Sequence, residues 1–200
     1  MNETIQLYHF ERCPYCEKSR RAFRALGVEY QSQLIDPDDR TEVIEISGSR
    51  SVPMIVHGDT IMNESTDIIE YLDSQFSPDI HLIPENQSHR GHTFIFDKFA
   101  EKVWGGLTSY AMKEVNRDGD KLDEDGKASL QDKINSEASY LNDFFHERRF
   151  AVGDSLSLGD LSISAFLSRI KECSNFAVAP EYSNVWAWFE RIEEHLSEPV

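Results

Sequence analysis

The hydrophobic periodicity of the chain changes once, near residue 77, and this change constrains the fold more than any other feature. Before that point, short runs with alternating apolar and polar residues follow segments whose apolar residues recur every three or four positions. After that point, only the helical spacing appears. We therefore predict an α/β domain over residues 1–76, a linker over 77–88 and an all-helical domain over 89–200.

The first 76 residues predict the element order βαβαββα. Glycine and proline mark the turns between these elements, and His57-Gly58-Asp59 is typical of a hairpin turn. The predicted strands are Thr4–His9, Val28–Ile35, Pro53–Val56 and Thr60–Met62, and the predicted helices are Pro14–Leu26, a short helix from Pro37 to about Ser47, and Ser65–Phe76.

The second part of the chain shows helical spacing throughout. Long helices are expected from Phe94, around Leu130–Phe145, and at the end of the chain around Val185–Leu196. Ser157-Leu158-Gly159-Asp160, ahead of an apolar run, has the spacing of a capping box that opens a further helix. The acidic run Asn116–Gly126 lacks the ligand spacing of a calcium loop, so we expect a polar loop there.

Charge and hydropathy argue against two classes of partner. The chain has 36 acidic and 20 basic residues, a net charge of -16, so nucleic acid and anionic membranes would repel it. It contains no apolar run long enough for a transmembrane helix, and its N-terminus lacks the pattern of a secretory signal. We expect a cytoplasmic protein with no nucleic-acid or membrane partner.

Two of the three cysteines, Cys13 and Cys16, form the sequence Cys-Pro-Tyr-Cys directly after the first predicted strand. Pro14 suits the first helical position, which makes Cys13 the N-cap, where unpaired N–H groups and the helix dipole stabilise a thiolate. Around Glu17 the neighbouring segment is rich in basic residues: Arg12, Lys18, Arg20, Arg21 and Arg24. These features predict Cys13 as the nucleophile and Cys16 as the thiol that resolves a mixed disulfide.

The same pair is also compatible with half of a metal site or with two structural thiols. Zinc and iron–sulfur sites need further ligands, and Cys173 is the only other cysteine. The seven histidines are scattered without ligand spacing. We therefore expect no metal, and we expect Cys173 to be a buried structural thiol.

Together these residues resemble the glutathione S-transferase superfamily with an active site similar to that of dithiol glutaredoxins. Cys-Pro-Tyr-Cys is similar to the glutaredoxin motif, and Val52-Pro53 resembles the cis-proline step of thioredoxin-fold proteins. Glu64-Ser65 resembles the Glu-Ser pair of glutathione transferases, and Phe150–Asp160 resembles the capping segment of their C-terminal domain. Two-domain glutaredoxins and cysteine-type omega transferases are the members that the chain resembles most in kind. This resemblance implies a thioredoxin-like domain with a mixed four-stranded sheet and an all-α transferase-type domain.

The resemblance also implies a binding site for glutathione as co-substrate. Its cysteinyl unit is expected to pair with the Val52 backbone before Pro53, and its γ-glutamyl end to meet Glu64 and Ser65. Tyr15, inside the cysteine motif, is expected to line the site. Three residues are candidates for the cation that binds the glycyl carboxylate: Arg40, Arg50 and Lys18.

Three functions remain open. The first is a glutathione-dependent thiol–disulfide oxidoreductase that acts on small-molecule or protein disulfides through Cys13 and Cys16. The second is a glutathione transferase that conjugates small electrophiles, although such enzymes usually have Ser or Tyr in place of Cys13. The third is a non-catalytic regulatory protein on the same fold. The thiol pair favours the first, and the resemblance implies a homodimer.

Overall fold

The computed structural model describes residues 4–76, 81–116, 121–173 and 175–197. These residues divide into two compact units. The first takes in the described residues up to Ile83 together with Leu196 and Ser197, and the second runs from Pro84 to His195. The predicted domain limits stay predictions, because residues 77–80 of the predicted linker lie outside the described residues.

The first unit has the predicted element order βαβαββα. Its four strands form one sheet in the order β2-β1-β3-β4, in which β1 is parallel to β2 and antiparallel to β3. The mixed four-stranded sheet of a thioredoxin-like domain is therefore confirmed. The elements are β1 (Ile5–His9), α1 (Pro14–Ala25), β2 (Tyr30–Leu34), α2 (Thr41–Ser47), β3 (Met54–His57), β4 (Thr60–Met62) and α3 (Ser65–Phe76).

Helix α2 begins later than predicted, at Thr41 and not at Pro37. The intervening residues form turns in which carboxylates accept backbone hydrogen bonds. Asp36 Oδ1 accepts from Asp38 N at 2.9 Å, and Asp39 Oδ1 accepts from Thr41 N at 3.1 Å. Such side-chain bonds compete with the helical pattern, so the acidic segment turns before the helix starts.

The strand register brings three chain segments to one edge of the sheet. Tyr8 near the end of β1 pairs with Met54 at the start of β3, and Met62 at the end of β4 pairs with Ile55. The residues after β1, before β3 and after β4 therefore lie side by side. Buried apolar residues on both faces hold this arrangement: Leu7, Met54, Ile55, Phe23, Ile68 and Leu72.

The rest of the described chain is helical. Helix α4 starts at Gln87 because Asn86 Oδ1 accepts from the N–H groups of Ser88 and His89, so the predicted linker overlaps its first turn. The elements are α4 (Gln87–Phe99), a π-helical turn (Ala100–Trp104), α5 (Gly105–Asn116), α6 (Glu124–Phe144), α7 (Leu158–Lys171) and α8 (Ser183–Ser197).

The acidic loop between α5 and α6 differs in length from the predicted one. The predicted loop Asn116–Gly126 is shorter than expected, because Asp123 caps α6 and its Oδ1 accepts from Gly126 N at 2.8 Å. Part of that loop, residues 117–120, lies outside the described residues. Over the described part of the chain, no helix combines the length and the apolar character that a bilayer crossing requires.

The predicted capping box at the start of α7 is present and extends further than predicted. Asp160 Oδ2 accepts from Ser157 N at 3.1 Å and Ser157 Oγ at 2.7 Å, and its Oδ1 accepts from Ala151 N at 2.7 Å. Trp188 Nε1 of α8 also donates to Oδ1, at 2.9 Å. Complete burial raises the pKa of Asp160 to about 6. One side chain thus joins the turn at Ala151, the start of α7 and helix α8.

Replacing Asp160 by Ala should lower the free energy of unfolding by about 3 kcal/mol or more, because three buried N–H donors would lose their acceptor. Asp154→Ala, an exposed change in the same segment, should alter it by less than about 0.5 kcal/mol. Urea denaturation followed by circular dichroism measures both. Equal effects of the two substitutions would contradict the role of Asp160.

Candidate active site

Cys13 is the N-cap residue of α1, as predicted. Its backbone is extended, with φ -68° and ψ 125°, and Pro14 follows at the start of the helix. The Cys13 sulfur accepts a hydrogen bond from the Cys16 N–H at 3.4 Å. The sulfur therefore occupies the place of a capping oxygen, at the positive end of the helix dipole.

The two thiols differ strongly in acidity. The pKa of Cys13 is lowered to about 7. The hydrogen bond from the Cys16 thiol lowers it most, and backbone hydrogen bonds from Cys16 and Tyr15 lower it further, whereas burial raises it. The pKa of Cys16 is raised well above its usual value, first by burial and then by its bond to Cys13. At neutral pH, a large share of Cys13 is thiolate while Cys16 keeps its proton.

The basic segment around the two cysteines contributes little to the lowered pKa of Cys13. Glu17 lies 2.7 Å from Arg20, 3.2 Å from Arg21 and 2.7 Å from Arg24, so its single negative charge offsets part of this positive charge. The charge of Arg20 is the last of the causes that lower the pKa of Cys13. Hydrogen bonds from Cys16 and Tyr15 rank ahead of this charge among the causes that lower the pKa of Cys13.

All three cysteines are free thiols. Cys13 is partly exposed, whereas Cys16 is fully buried. Cys173 is buried as predicted, and its Sγ donates to the Arg169 carbonyl at 3.2 Å. Only Cys13 among them therefore combines exposure with a lowered pKa.

The segment before β3 and the start of α3 lie at the same sheet edge as Cys13. The Val52–Pro53 peptide bond is cis, and Pro53 is buried directly before β3. Ser65 is the buried first residue of α3, while Glu64 is exposed and its carbonyl accepts from Ile68 N at 2.9 Å. The structure thus brings Val52, Pro53, Glu64 and Ser65 to the edge where α1 begins.

Asn63 joins two of these segments. Its Nδ2 donates to the Ser51 carbonyl at 2.9 Å and to Ser47 Oγ at 3.3 Å. The sequence does not single out this residue, because its partners are 12 and 16 positions away. Its place directly before Glu64-Ser65 is the one local signal. Asn63 holds the residues before Pro53 against the start of α3.

Of the three candidate cations, Lys18 is corrected by the structure. It is fully buried, and its Nζ donates to Thr66 Oγ1 at 2.8 Å. A buried ammonium that faces the protein cannot meet a ligand carboxylate at the surface, so Lys18 is removed from the candidates. Its contact joins α1 to the first turn of α3.

Arg40 and Arg50 lie beside the segment that leads to Pro53. The Arg40 guanidinium donates to the carbonyls of Pro37 and Arg50, each at 3.0 Å, and stands 4.6 Å from the centre of the Phe10 ring. Arg50 is exposed. Arg40 therefore links the residues after β1 to those before β3, and both arginines remain candidates.

Tyr15 is the last of the residues that the sequence predicts for the site, and no metal is expected there. Tyr15 is partly buried, and its carbonyl accepts from Ser19 Oγ at 3.4 Å. Its contact with glutathione stays a prediction. Within residues 4–76, 81–116, 121–173 and 175–197, no group of three or more His, Cys, Asp or Glu side chains is arranged to hold a metal ion.

The chain matches two families of the same superfamily, one for each part of the fold. Residues 7–79 match the N-terminal domain of glutathione S-transferases, and residues 108–197 match the C-terminal domain. The chain belongs to the glutathione S-transferase superfamily. The expected family is therefore confirmed, over both the sheet-containing unit and the helical part.

Similar proteins from plants and insects carry the same family name. Glutathione S-transferase U28 of Arabidopsis thaliana is 22% identical over 98% of this chain and 87% of its own length. Glutathione S-transferase D7 of Drosophila melanogaster is 27% identical over 93% and 83%. The solved structure of a delta-class glutathione transferase from Nilaparvata lugens superposes with a TM-score of 0.79, at 25% identity over 96% and 95%. The chain is thus a member of the glutathione transferase enzyme family.

Replacing Cys16 by Ala should raise the pKa of Cys13 above about 7, because the thiol donor is lost. Cys16→Ser keeps an O–H donor and should raise the pKa less. The measurement is the rate of iodoacetamide alkylation of Cys13 against pH. In the unchanged protein this rate should rise with pH, with a midpoint near the pKa of about 7, because the thiolate is the reactive form.

Cys173→Ser serves as the control, since it removes a buried thiol that contacts Arg169, and it should leave the midpoint unchanged. A midpoint in Cys16→Ala that equals that of the unchanged protein would show that the second thiol does not stabilise the Cys13 thiolate.

Proposed function

We propose that this protein is a glutathione-dependent thiol–disulfide oxidoreductase that removes glutathione from mixed disulfides. The observation that supports this most strongly is the partly exposed Cys13 thiol at the start of α1, with a pKa lowered to about 7. A thiol with a pKa near the ambient pH combines a useful thiolate fraction with nucleophilicity, and it also leaves readily from a disulfide. Both properties are needed in the two steps of thiol transfer.

In the first step, the Cys13 thiolate attacks the glutathionyl sulfur of a mixed disulfide. A disulfide between Cys13 and glutathione forms, the original S–S bond breaks, and the released thiolate takes a proton from water. In the second step, the thiolate of a second glutathione attacks the glutathionyl sulfur on Cys13. Oxidised glutathione leaves, the Cys13 thiolate is restored, and glutathione has supplied both electrons.

Cys16 has two parts in this proposal. As a thiol, it donates a hydrogen bond that stabilises the Cys13 thiolate. As a resolving group, it attacks Cys13 in the mixed disulfide after losing its proton, which releases glutathione and forms an internal disulfide. Its complete burial and raised pKa disfavour this ionisation. We therefore propose that resolution by glutathione is the faster route.

The proposed seat of glutathione follows the sheet edge beside Cys13. The Val52 backbone before Pro53 pairs with the cysteinyl unit, as an added strand would. The N-terminal N–H groups of α3 at Ser65 receive the γ-glutamyl carboxylate, and the exposed Glu64 carboxylate receives its ammonium. Tyr15 lines the same site. The glycyl carboxylate binds to exposed Arg50, beside which Arg40 is held.

Conjugation of small electrophiles is the second candidate, and the names of the similar transferases favour it. Conjugation requires that the glutathione sulfur stays free to attack the electrophile. A Cys13 thiolate at this position instead takes the glutathionyl sulfur from an existing glutathione disulfide by exchange and holds it in a mixed disulfide. The two activities therefore make opposite demands on the residue at position 13.

Replacing Cys13 by Ser should abolish the reduction of a mixed disulfide between glutathione and 2-mercaptoethanol, because the attacking thiolate is lost. Cys16→Ser should keep this activity, since glutathione resolves the intermediate. The assay couples oxidised glutathione to glutathione reductase and NADPH, with Cys173→Ser as the control.

Conjugation of glutathione to 1-chloro-2,4-dinitrobenzene is measured on the same proteins. Thiol transfer that survives in Cys13→Ser would overturn the proposal. Strong conjugation by the unchanged protein without any thiol transfer would establish the second candidate in its place.

Replacing Arg50 by Ala should raise the KM for glutathione about fivefold or more while changing kcat little, because a charge-assisted hydrogen bond to the bound carboxylate is lost. Arg149→Ala, a change at an exposed arginine of the helical unit, is the matched control and should leave the KM unchanged. Equal KM values in all three proteins would remove Arg50 from the proposed site.

We further propose that the protein is a homodimer in the cytoplasm, as the family resemblance implies. Sedimentation equilibrium measures the first property. A molar mass near that of a single 23.0 kDa chain at micromolar concentration would contradict it.

A further inference from the structure

The Arg20 guanidinium contacts three consecutive residues at the end of β1 and directly after it: His9, Phe10 and Glu11. Nη1 lies 2.9 Å from His9 Nδ1 and 3.4 Å from the Phe10 carbonyl oxygen, and Nη2 lies 3.2 Å from the Glu11 carbonyl oxygen. Nε and Nη2 also donate to Glu17 Oε2, at 3.0 Å and 2.7 Å. One side chain on α1 thus holds three consecutive residues and is itself held by a carboxylate.

These contacts determine the tautomer of His9. His9 Nδ1 lies 2.9 Å from Arg20 Nη1 and 3.3 Å from the Phe10 carbonyl oxygen. A guanidinium has only donors and its contact is the shorter one, so we assign Nδ1 as the acceptor and the ring proton to Nε2. Nε2 then donates to Ser32 Oγ of β2, at 2.7 Å. Burial lowers the pKa of His9 most, the Phe10 carbonyl opposes this shift, and the charge of Arg20 adds to it. The net shift is downward, so the ring is neutral at neutral pH. His9 therefore connects the guanidinium to the neighbouring strand.

The segment that Arg20 holds also reaches the two thiols. The Phe10 backbone makes a hydrogen bond to the Cys16 sulfur. The Cys16 thiol in turn donates to the Cys13 sulfur. A displacement of Phe10 would therefore shift Cys16 and, through it, the group that stabilises the Cys13 thiolate. The backbone of Cys16 also reaches the reactive sulfur, because its N–H donates to Cys13 Sγ at 3.4 Å.

We propose that Arg20 is a positioning residue for the thiol pair, which it serves by holding His9, Phe10 and Glu11 with its planar guanidinium. Its importance for turnover rests on the proposed function, whereas its effect on the Cys13 thiol does not. The guanidinium is needed because one side chain must contact four groups at once. These are the His9 ring, the carbonyl oxygens of Phe10 and Glu11, and the Glu17 carboxylate. A lysine ammonium keeps the charge but lacks the rigid fork of five N–H donors.

The test compares Arg20→Gln, Arg20→Lys and Arg24→Gln. Arg24 lies on the same helix and pairs with the same carboxylate, 2.7 Å from Glu17 Oε1, so its variant is the matched control. Both Arg20 variants should slow the alkylation of Cys13 by iodoacetamide at pH 6.5 by about threefold or more, because the pKa of the thiol rises. Arg24→Gln should leave the rate unchanged.

Two outcomes of this comparison would overturn the inference. An Arg20→Lys protein that reacts like the unchanged protein would show that charge alone acts. An Arg24→Gln protein that reacts as slowly as Arg20→Gln would show that the effect passes through Glu17.

Nitrogen-15 NMR of His9 in the unchanged protein adds a test that does not depend on variants folding. Protonation of Nε2 at neutral pH is expected, and protonation of Nδ1 would overturn the network.

The thiol-transfer assay separates this inference from the proposed function. If the unchanged protein has no thiol-transfer activity while both Arg20 variants slow alkylation, the proposed function fails and the positioning role stands. If the unchanged protein transfers thiols and the Arg20 variants alkylate at the normal rate, the proposed function stands and the positioning role is overturned.

Discussion

The chemistry of the site depends on the contact of Cys16 with the Cys13 sulfur at the start of α1, where the Cys16 N–H donates at 3.4 Å. Hydrogen bonding by the Cys16 thiol is the largest cause of the lowered pKa of Cys13. A single cysteine at a helix end would have only the helix dipole and backbone N–H groups to stabilise its thiolate. The second thiol therefore acts on the first before any disulfide is formed, and its burial keeps it protonated for that purpose.

The fold keeps this pair in place through contacts that meet at one sheet edge. Antiparallel pairing brings the end of β1 beside the start of β3, so that the residues next to Cys13 and Pro53 are neighbours. Lys18 joins α1 to the start of α3, and Asn63 joins that start to the segment before Pro53. The surroundings of Cys13 are thus determined by polar contacts between elements, one of them buried and one exposed, which add to the apolar core beneath them.

Structural features that depend on residues close together in the chain could be predicted from the sequence. Features that depend on contacts between distant residues could not. The N-cap at Cys13 and the capping box at Ser157 follow from residues within one helical turn. The ion pairs of Glu17 also had a local signal, since Arg20, Arg21 and Arg24 follow it at three, four and seven positions. The burial of Lys18 had no such signal, because a lysine is ordinarily a surface residue and its partner Thr66 is 48 positions away.

The central claim is that Cys13 accepts glutathione as a disulfide. The most direct measurement is peptide mapping by mass spectrometry of the Cys16→Ser protein after incubation with oxidised glutathione at neutral pH. Without Cys16 to resolve it, the adduct should accumulate on the peptide that contains Cys13, while the peptide that contains buried Cys173 stays unmodified. A Cys13 peptide that remains a free thiol, or an adduct confined to Cys173, would contradict the account.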